Sequence, residues 1–351
     1  MTPPEPARTP TATTARVARV AVTLIVAGAV LLSIGYRLGP ERFWSLALVE
    51  YLPYPIHLLP ALGGVLISFA LGWVWRLAAL LGIVLVLFPV MGLELNAGDA
   101  AQGRRPVRVL TYNVKAYHAA GRPDGFARLA QEIRRHRPDI VALQDANEPS
   151  ALRRFGPGPV SALTLLPYRY AFGQFTLASR FPLRACSPST NAAGEFIDAW
   201  VRCAVEIGGR EFDLYSAHLP TPRQGLNAAR TEALDGVEDW EQNVAARMAR
   251  ARDLAQAVRA RSRPVIVAGD LNAPPPSLAV RTLLDAGLRD AFARAGLGFG
   301  YTYGHALRPG FSFLRLDHVL VSAEIGVAAC EVGSETASEH RPVIADLWLP
   351  S

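Results

Sequence analysis

Three long apolar runs occupy most of the first hundred residues of this 351-residue chain. They cover Val17–Leu38, Ile56–Trp73 and Leu77–Leu95, and each approaches the roughly 20 residues that a helix needs to cross a membrane. The sequence therefore predicts an all-α transmembrane segment of three helices over residues 17–96, behind a disordered tail at residues 1–16. A signal peptide and buried helices of a soluble fold are the alternatives, but a signal peptide carries one shorter apolar run.

Arginines around the first apolar run predict the orientation of the chain in the membrane. Arg8, Arg16 and Arg19 precede or begin this run, and positive charge favours the cytoplasmic side. After three crossings the remainder would lie outside the cytoplasm, so we expect a multi-pass protein of the cell membrane with an extracytoplasmic domain. Three further arginines between residues 104 and 108 favour the opposite orientation.

Residues 107–351, which follow a polar linker at residues 97–106, mix charged and apolar residues like a soluble domain. Short β-branched runs predict strands, with helices at about 124–136, 226–261 and 278–286. Two helical crossovers combined with runs of antiparallel strands predict an α/β fold, a four-layer α/β sandwich of two mixed sheets with helices outside.

Cysteine and charge exclude several classes of protein. Three cysteines are too few for a disulfide framework or a zinc cluster. Cys186 and Cys203 lie on two predicted strands; a disulfide is an alternative there, but we expect two buried thiols. The net charge of +6 comes from arginine, since Lys115 is the only lysine, and no basic run suggests a nucleic-acid-binding tail.

Six short polar motifs follow, most of them at the end of an apolar strand, where α/β proteins gather side chains for chemistry. Together they offer carboxylates, amides and imidazoles, which suit a hard metal ion beside a phosphate. The motifs are Thr111–Asn113, Leu143–Asp145, Ser216–Leu219, Gly269–Asn272, Leu316–His318 and Ser338–Pro342.

Five of these residues have side chains that suit acid–base chemistry on a phosphate. Asp270 and Asn272 alternate on an extended segment, so one can orient a water while the other polarises a phosphoryl oxygen. His218 can hold a phosphate oxygen, and Asp317 can orient the imidazole of His340. Each of these motifs also occurs in purely structural roles.

Three residues are candidates for binding a cation. Asp145 and Glu339 offer carboxylates, and Asn113 offers an amide oxygen. Oxygen ligands of this kind suit Mg²⁺, which needs only one or two carboxylates because it keeps several waters.

Taken together, these motifs and the segment Ser179–Pro182 (Ser-Arg-Phe-Pro) resemble the endonuclease/exonuclease/phosphatase superfamily over Val107–Leu349. That superfamily includes exonuclease III-like nucleases, inositol-polyphosphate 5-phosphatases and neutral sphingomyelinases. The resemblance implies a phosphoesterase dependent on Mg²⁺ or Mn²⁺. It also implies that Asn113, Asp145 and Glu339 lie on the metal side, and that Asp270, Asn272, His218 and the His340–Asp317 pair act on the water and phosphate.

The sequence departs from the superfamily pattern on the metal side. Asp145 stands where the superfamily usually has Glu, and Glu339 stands where it usually has Asp. One carboxylate is a methylene shorter and the other a methylene longer, so the charge and ligand type are kept.

Three functions remain open at the level of sequence. The first is a membrane-anchored phosphodiesterase or phosphatase acting on a phosphate ester at the lipid bilayer, such as a lipid headgroup, a nucleotide or nucleic acid. The second is an exonuclease III-like nuclease, which a membrane tether disfavours. The third is a catalytically weak binding module of the same fold.

Overall fold

Four helices near the N-terminus form a bundle that leads into the larger domain. The computed structural model describes residues 12–100, 106–146, 163–191, 194–232, 236–307 and 310–350. Two glycines allow close packing of the bundle, since Gly64 lies against Ile25 and Gly82 against Val26 of the first helix. The helices are α1 (Ala12–Leu38), α2 (Trp44–Val49), α3 (Leu58–Ser68) and α4 (Trp73–Leu85), and a π-helical turn (Val86–Val90) extends α4.

Only part of the predicted transmembrane arrangement is confirmed. Among the described residues, Ala12–Leu38 and Trp73–Val90 are long and apolar enough to cross a membrane. The expected middle span at 56–73 is wrong in length, because its helix ends at Ser68 and the chain turns before Gly72 starts the next helix. The predicted tail at 1–16 is wrong for residues 12–16, which are helical, and residues 1–11 lie outside the described part.

The first of two six-stranded sheets runs in the order β13-β14-β2-β3-β5-β4. Strands β2 and β3 are parallel, and their neighbours in this sheet are antiparallel. Helices α5 (Ala116–Ala120) and α6 (Gly125–Arg135) cover its outer face. The strands are β2 (Val107–Asn113), β3 (Ile140–Gln144), β4 (Tyr168–Phe172), β5 (Phe175–Ser179), β13 (Gly326–Val332) and β14 (Val343–Trp348).

The second six-stranded sheet runs in the order β10-β12-β9-β8-β7-β6, and β8 and β9 are its parallel pair. A short ribbon of β1 (Glu94–Leu95) and β11 (Leu297–Gly298) lies beside it in sequence. The strands are β6 (Leu183–Thr190), β7 (Phe196–Ile207), β8 (Arg210–His218), β9 (Val265–Asp270), β10 (Leu288–Asp290) and β12 (Asp317–Ser322).

The inner faces of the two sheets pack together through fully buried side chains such as Ile140, Leu177, Leu214 and Ile266. The outer face of the second sheet is covered by helices and also joins the N-terminal bundle in one apolar core. The predicted α/β sandwich of two mixed sheets is therefore confirmed. The covering helices are α7 (Arg223–Thr231), α8 (Val237–Arg259) and α9 (Leu278–Leu284), and a short α10 (Ala291–Ala295) follows β10.

Two local expectations are wrong. The single helix expected at 226–261 is two helices, α7 and α8, and residues 233–235 between them lie outside the described part. Cys186 and Cys203 form a disulfide rather than two thiols. A bulge between Arg184 and Ser187, with Ala185 at φ 45°, brings Cys186 opposite Cys203 on the neighbouring strand.

Candidate active site

The site lies where the two sheets meet at one edge, because the parallel pairs β2–β3 and β8–β9 both end there. One hydrogen bond joins the sheets at this edge: the amide nitrogen Nδ2 of Asn113 donates to Oδ2 of Asp270 over 2.9 Å. A second link is donated by Gln144 to the hydroxyl of Ser216 over 2.9 Å. Strand register thus brings motifs more than 150 residues apart in sequence into one cluster.

Asp270 is the central residue of this cluster and is fully buried. Its Oδ1 accepts the backbone N–H of Asn272 over 2.8 Å, and its Oδ2 lies 3.6 Å from Nε2 of His218 and 3.7 Å from Nε2 of His340. Burial alone would raise the pKa of Asp270, but the two imidazoles and Lys115 outweigh burial and lower it. Asp270 is therefore a carboxylate, as a water-orienting group requires.

Asn272 follows Asp270 in a left-handed backbone conformation, at φ 48°. Asparagine tolerates this conformation better than most residues. Its side-chain amide donates to the carbonyl of Leu219 over 2.9 Å, which fixes the amide beside the cluster. The backbone bend at this residue thus aims the amide back toward Asp270.

His340 is held by Asp317, as the sequence suggested. Nδ1 of His340 lies 2.9 Å from Oδ2 of Asp317, and both residues are buried. Burial lowers the pKa of His340, but the charges of Asp317 and Asp270 more than offset it and raise the pKa above the ordinary value. His318 points elsewhere, toward Asp290 and the carbonyl of Ala273.

His218 connects this cluster to Asp145. Its Nδ1 contacts the side-chain oxygen of Gln174 and lies 3.7 Å from Oδ1 of Asp145. Gln174 has no counterpart among the sequence candidates. It sits in the turn between two antiparallel strands, and no local pattern marks such a residue.

Asp145 and Glu339, the two carboxylates predicted to bind metal, each pair with a basic side chain of the protein. Nζ of Lys115 lies 2.5 Å from Oδ2 of Asp145, and Nδ1 of His118 lies 2.8 Å from Oε1 of Glu339. Burial favours a higher pKa for Asp145, but His218 and Lys115 lower it overall. Sequence reasoning missed Lys115 and His118 as members of the site, although Lys115 is unique as the only lysine.

The structure does not bring the predicted metal residues Asn113, Asp145 and Glu339 together as one ligand group. Among the described residues, the one group of three acidic or histidine ligand atoms within 4.8 Å of one another is Asp270, Asp317 and His340. Oδ1 of Asp317 is buried there with no hydrogen-bond partner. Mostly oxygen donors and an unsatisfied buried carboxylate oxygen fit a hard divalent cation.

An open cavity of about 470 Å³ gives access to this cluster. Asn272 and His340 line its floor, Lys115 and Arg223 add positive charge, and Phe313 belongs to an apolar wall. The cavity can therefore accept an anionic group with an apolar part attached to it.

The motif Ser179–Pro182 lies outside the cavity. The hydroxyl of Ser179 accepts the N–H of Phe181 over 2.9 Å, and Arg180 pairs with Asp139 over 2.7 Å. This motif therefore shapes the end of β5 instead of contacting a substrate.

Comparison with known proteins decides the family. The sequence profile of the Endonuclease/Exonuclease/phosphatase family matches residues 110–340, which include every candidate site residue. The chain belongs to this family. Comparison with curated protein sequences finds no match.

Solved structures share the fold of this family member at low sequence identity. A Bacteroides thetaiotaomicron family protein is 17% identical with a TM-score of 0.51, over 71% of this chain and 100% of its own. A mannosyl-6-phosphatase of the same organism is 16% identical with a TM-score of 0.50, over 69% of this chain and 100% of its own. Sphingomyelinase C of Streptomyces griseocarneus is 18% identical with a TM-score of 0.46, over 69% and 99%.

Membership confirms the predicted enzyme class. The chain is a hydrolase of phosphate ester bonds, and enzymes of this family depend on a divalent metal.

Proposed function

We propose that this protein is a membrane-anchored phosphodiesterase or phosphatase that hydrolyses a phosphate ester by direct attack of water. The observation that carries the proposal is the buried chain of contacts from Asn113 through Asp270 to His340 and Asp317. A carboxylate with a lowered pKa beside an imidazole with a raised pKa supplies a base-like and an acid-like group in one place.

Each residue of the cluster has a proposed role. Asp270 orients the attacking water, and Asn272 and His218 hold phosphoryl oxygens as negative charge develops on them. His340 holds a proton at Nε2, which faces Asp270, while Asp317 fixes the ring through Nδ1. The protonated ring can stabilise the transition state or donate that proton to the leaving oxygen.

Asn113, Asp145 and Glu339 remain the proposed residues for a Mg²⁺ or Mn²⁺ ion, since they offer the oxygen ligands that such ions prefer. A bound divalent ion would polarise the phosphoryl group and stabilise the leaving oxygen. Binding there would require the side chains of Lys115 and His118 to give up their ion pairs with Asp145 and Glu339.

We further propose that the N-terminal bundle lies in the lipid bilayer. Its outer surface is apolar: Leu24, Leu31 and Leu66 are 67%, 68% and 72% exposed. An apolar surface of this extent needs a cover, and a bilayer supplies one for helices of this length. Arg16 and Arg19, near the start of α1, favour a cytoplasmic N-terminus.

The proposed extracytoplasmic position of the catalytic domain gains support from the Cys186–Cys203 disulfide, because disulfides persist in oxidising compartments. A periplasm-dependent reporter fused after Ala100 should be active in cells. Activity of a cytoplasm-dependent reporter alone at that position would reverse the orientation.

Hydrolysis of bis-p-nitrophenyl phosphate by the detergent-solubilised chain tests the reaction. We expect p-nitrophenol release with Mg²⁺, and loss of that release in Asp270→Ala. The matched control is Asp239→Ala, an exposed aspartate on α8, which should behave like the wild type. A folded but inactive wild type would favour the binding module, and hydrolysis of plasmid DNA but not lipid vesicles would favour the nuclease.

A further inference from the structure

The segment that joins the first two helices of the bundle lies against the catalytic loop. This segment, residues 39–57, is called the joining segment below, and it includes α2. It packs on the helices that cover the second sheet: Nε1 of Trp240 donates to the carbonyl of Trp44 over 3.3 Å. Sequence alone predicts an interfacial loop here, but not its contact with the active site.

Tyr51 of the joining segment reaches Asn272 directly. Its hydroxyl donates to the backbone carbonyl of Asn272 over 2.8 Å, and its side chain also lines the active-site cavity. The ring is held edge-on to Trp240 at 5.7 Å, and the guanidinium of Arg247 lies 5.4 Å from the ring centre. Burial raises the pKa of Tyr51, so its hydroxyl remains a donor throughout the neutral range.

Glu41 of the same segment holds the other end of the catalytic loop. Its Oε2 accepts the backbone N–H of Leu278 over 2.9 Å, and its Oε1 contacts the hydroxyl of Ser277, the N-cap of α9. Gly39 permits this approach, since at φ 105° a Cβ there would lie 2.3 Å from the side chain of Leu278. The loop between Asn272 and α9 is thus fixed at both ends by the joining segment.

We propose that Tyr51 is a positioning residue, which holds the backbone of Asn272 so that its side chain meets the phosphate. The joining segment is then part of the active site and does more than tether it. This inference rests on the proposed function, because Asn272 matters to turnover only if the site hydrolyses a phosphate ester.

Tyr51→Phe in the full chain, reconstituted in lipid nanodiscs, tests this inference with bis-p-nitrophenyl phosphate and Mg²⁺. The substitution keeps the ring packing and removes one hydrogen bond. We expect kcat to fall roughly 3- to 10-fold, the scale of one such bond, with KM unchanged. The matched control is Tyr54→Phe, because the Tyr54 hydroxyl has no hydrogen-bond partner among the described residues.

A double-mutant cycle separates positioning from general loss of structure. If Tyr51 acts through Asn272, Tyr51→Phe should cause no further loss in an Asn272→Ala background. Equal losses in both backgrounds, a wild-type kcat in Tyr51→Phe, or a raised KM alone would each overturn the inference while leaving the proposed function intact. An inactive but folded wild type would instead overturn the proposed function and this inference with it.

Discussion

The two halves of the active site differ in how completely the protein itself satisfies them. The buried cluster, formed by Asn113, Asp270, Asn272, Asp317 and His340, is closed to solvent and is held by hydrogen bonds among its own members. The rim carboxylates, Asp145 and Glu339, have side chains 23% and 22% exposed, and each pairs with a basic residue. The cluster is thus organised for its chemistry, whereas the rim must exchange partners to bind a metal ion.

The same contrast appears in the departures from the family pattern, which fall only on the rim. A buried residue such as Asp270 has several partners at fixed distances, so a methylene more or less would break them. Asp145 and Glu339 each face a long or mobile basic side chain that can adjust. The rim therefore tolerates an exchange of Asp and Glu that the cluster would not.

Removing the central imidazole should have the largest effect. We expect His340→Ala to lower kcat by at least ~10²-fold, the scale of a lost general acid or transition-state stabiliser. The measurement is kcat on bis-p-nitrophenyl phosphate, and the control is His305→Ala, whose ring bonds Ser312 and the carbonyl of Ser338. Unchanged turnover in His340→Ala would remove the cluster from the mechanism.

The pH profile tests how Asp317 supports His340. The raised pKa means that the imidazolium persists above the ordinary histidine value and is lost as pH rises through the folded-state pKa. Asp317→Asn removes the negative charge that favours the imidazolium, so we expect the alkaline limb of kcat/KM to move to lower pH by about one unit. A limb that stays in place or moves to higher pH would contradict this assignment.

Loss of a rim carboxylate should change metal dependence more than turnover. For Asp145→Ala we expect the Mg²⁺ concentration at half-maximal activity to rise by roughly tenfold, with a smaller change in kcat at saturating metal. Asp124→Ala is the control, since Asp124 pairs with Arg128 on the surface. If Asp124→Ala and Asp145→Ala respond alike, Asp145 is not a metal ligand.

Sequence predicted the buried cluster far better than the rim. Asp270, Asn272 and His340 follow or flank strands whose pairing sets their positions, so local patterns locate them. The direction of Asp145 depends on its left-handed backbone, at φ 49°, which no local pattern reveals.

Long-range contacts were also beyond the sequence. Tyr51 meets Asn272 across 221 residues of sequence, and only the docking of the N-terminal bundle brings them together. The Cys186–Cys203 pair was missed for a related reason, since a bulge at Ala185 changes the register that simple alternation predicts.

The smallest expected effect bears most directly on the rim. Lys115 neutralises Asp145, so it competes with any cation for that carboxylate. Lys115→Met keeps much of the length of the side chain and removes its charge, and we expect the half-saturating Mg²⁺ concentration to fall about threefold because Asp145 is released.

The control for this change is Arg128→Met, which removes one surface positive charge at a distance from the site. Tighter Mg²⁺ binding in Lys115→Met but not in Arg128→Met would assign the competition to the ion pair instead of to net charge. Weaker binding in Lys115→Met would mean that the ammonium helps to hold Asp145 in place for the metal. In that case the rim, like the buried cluster, would be organised in advance by the protein.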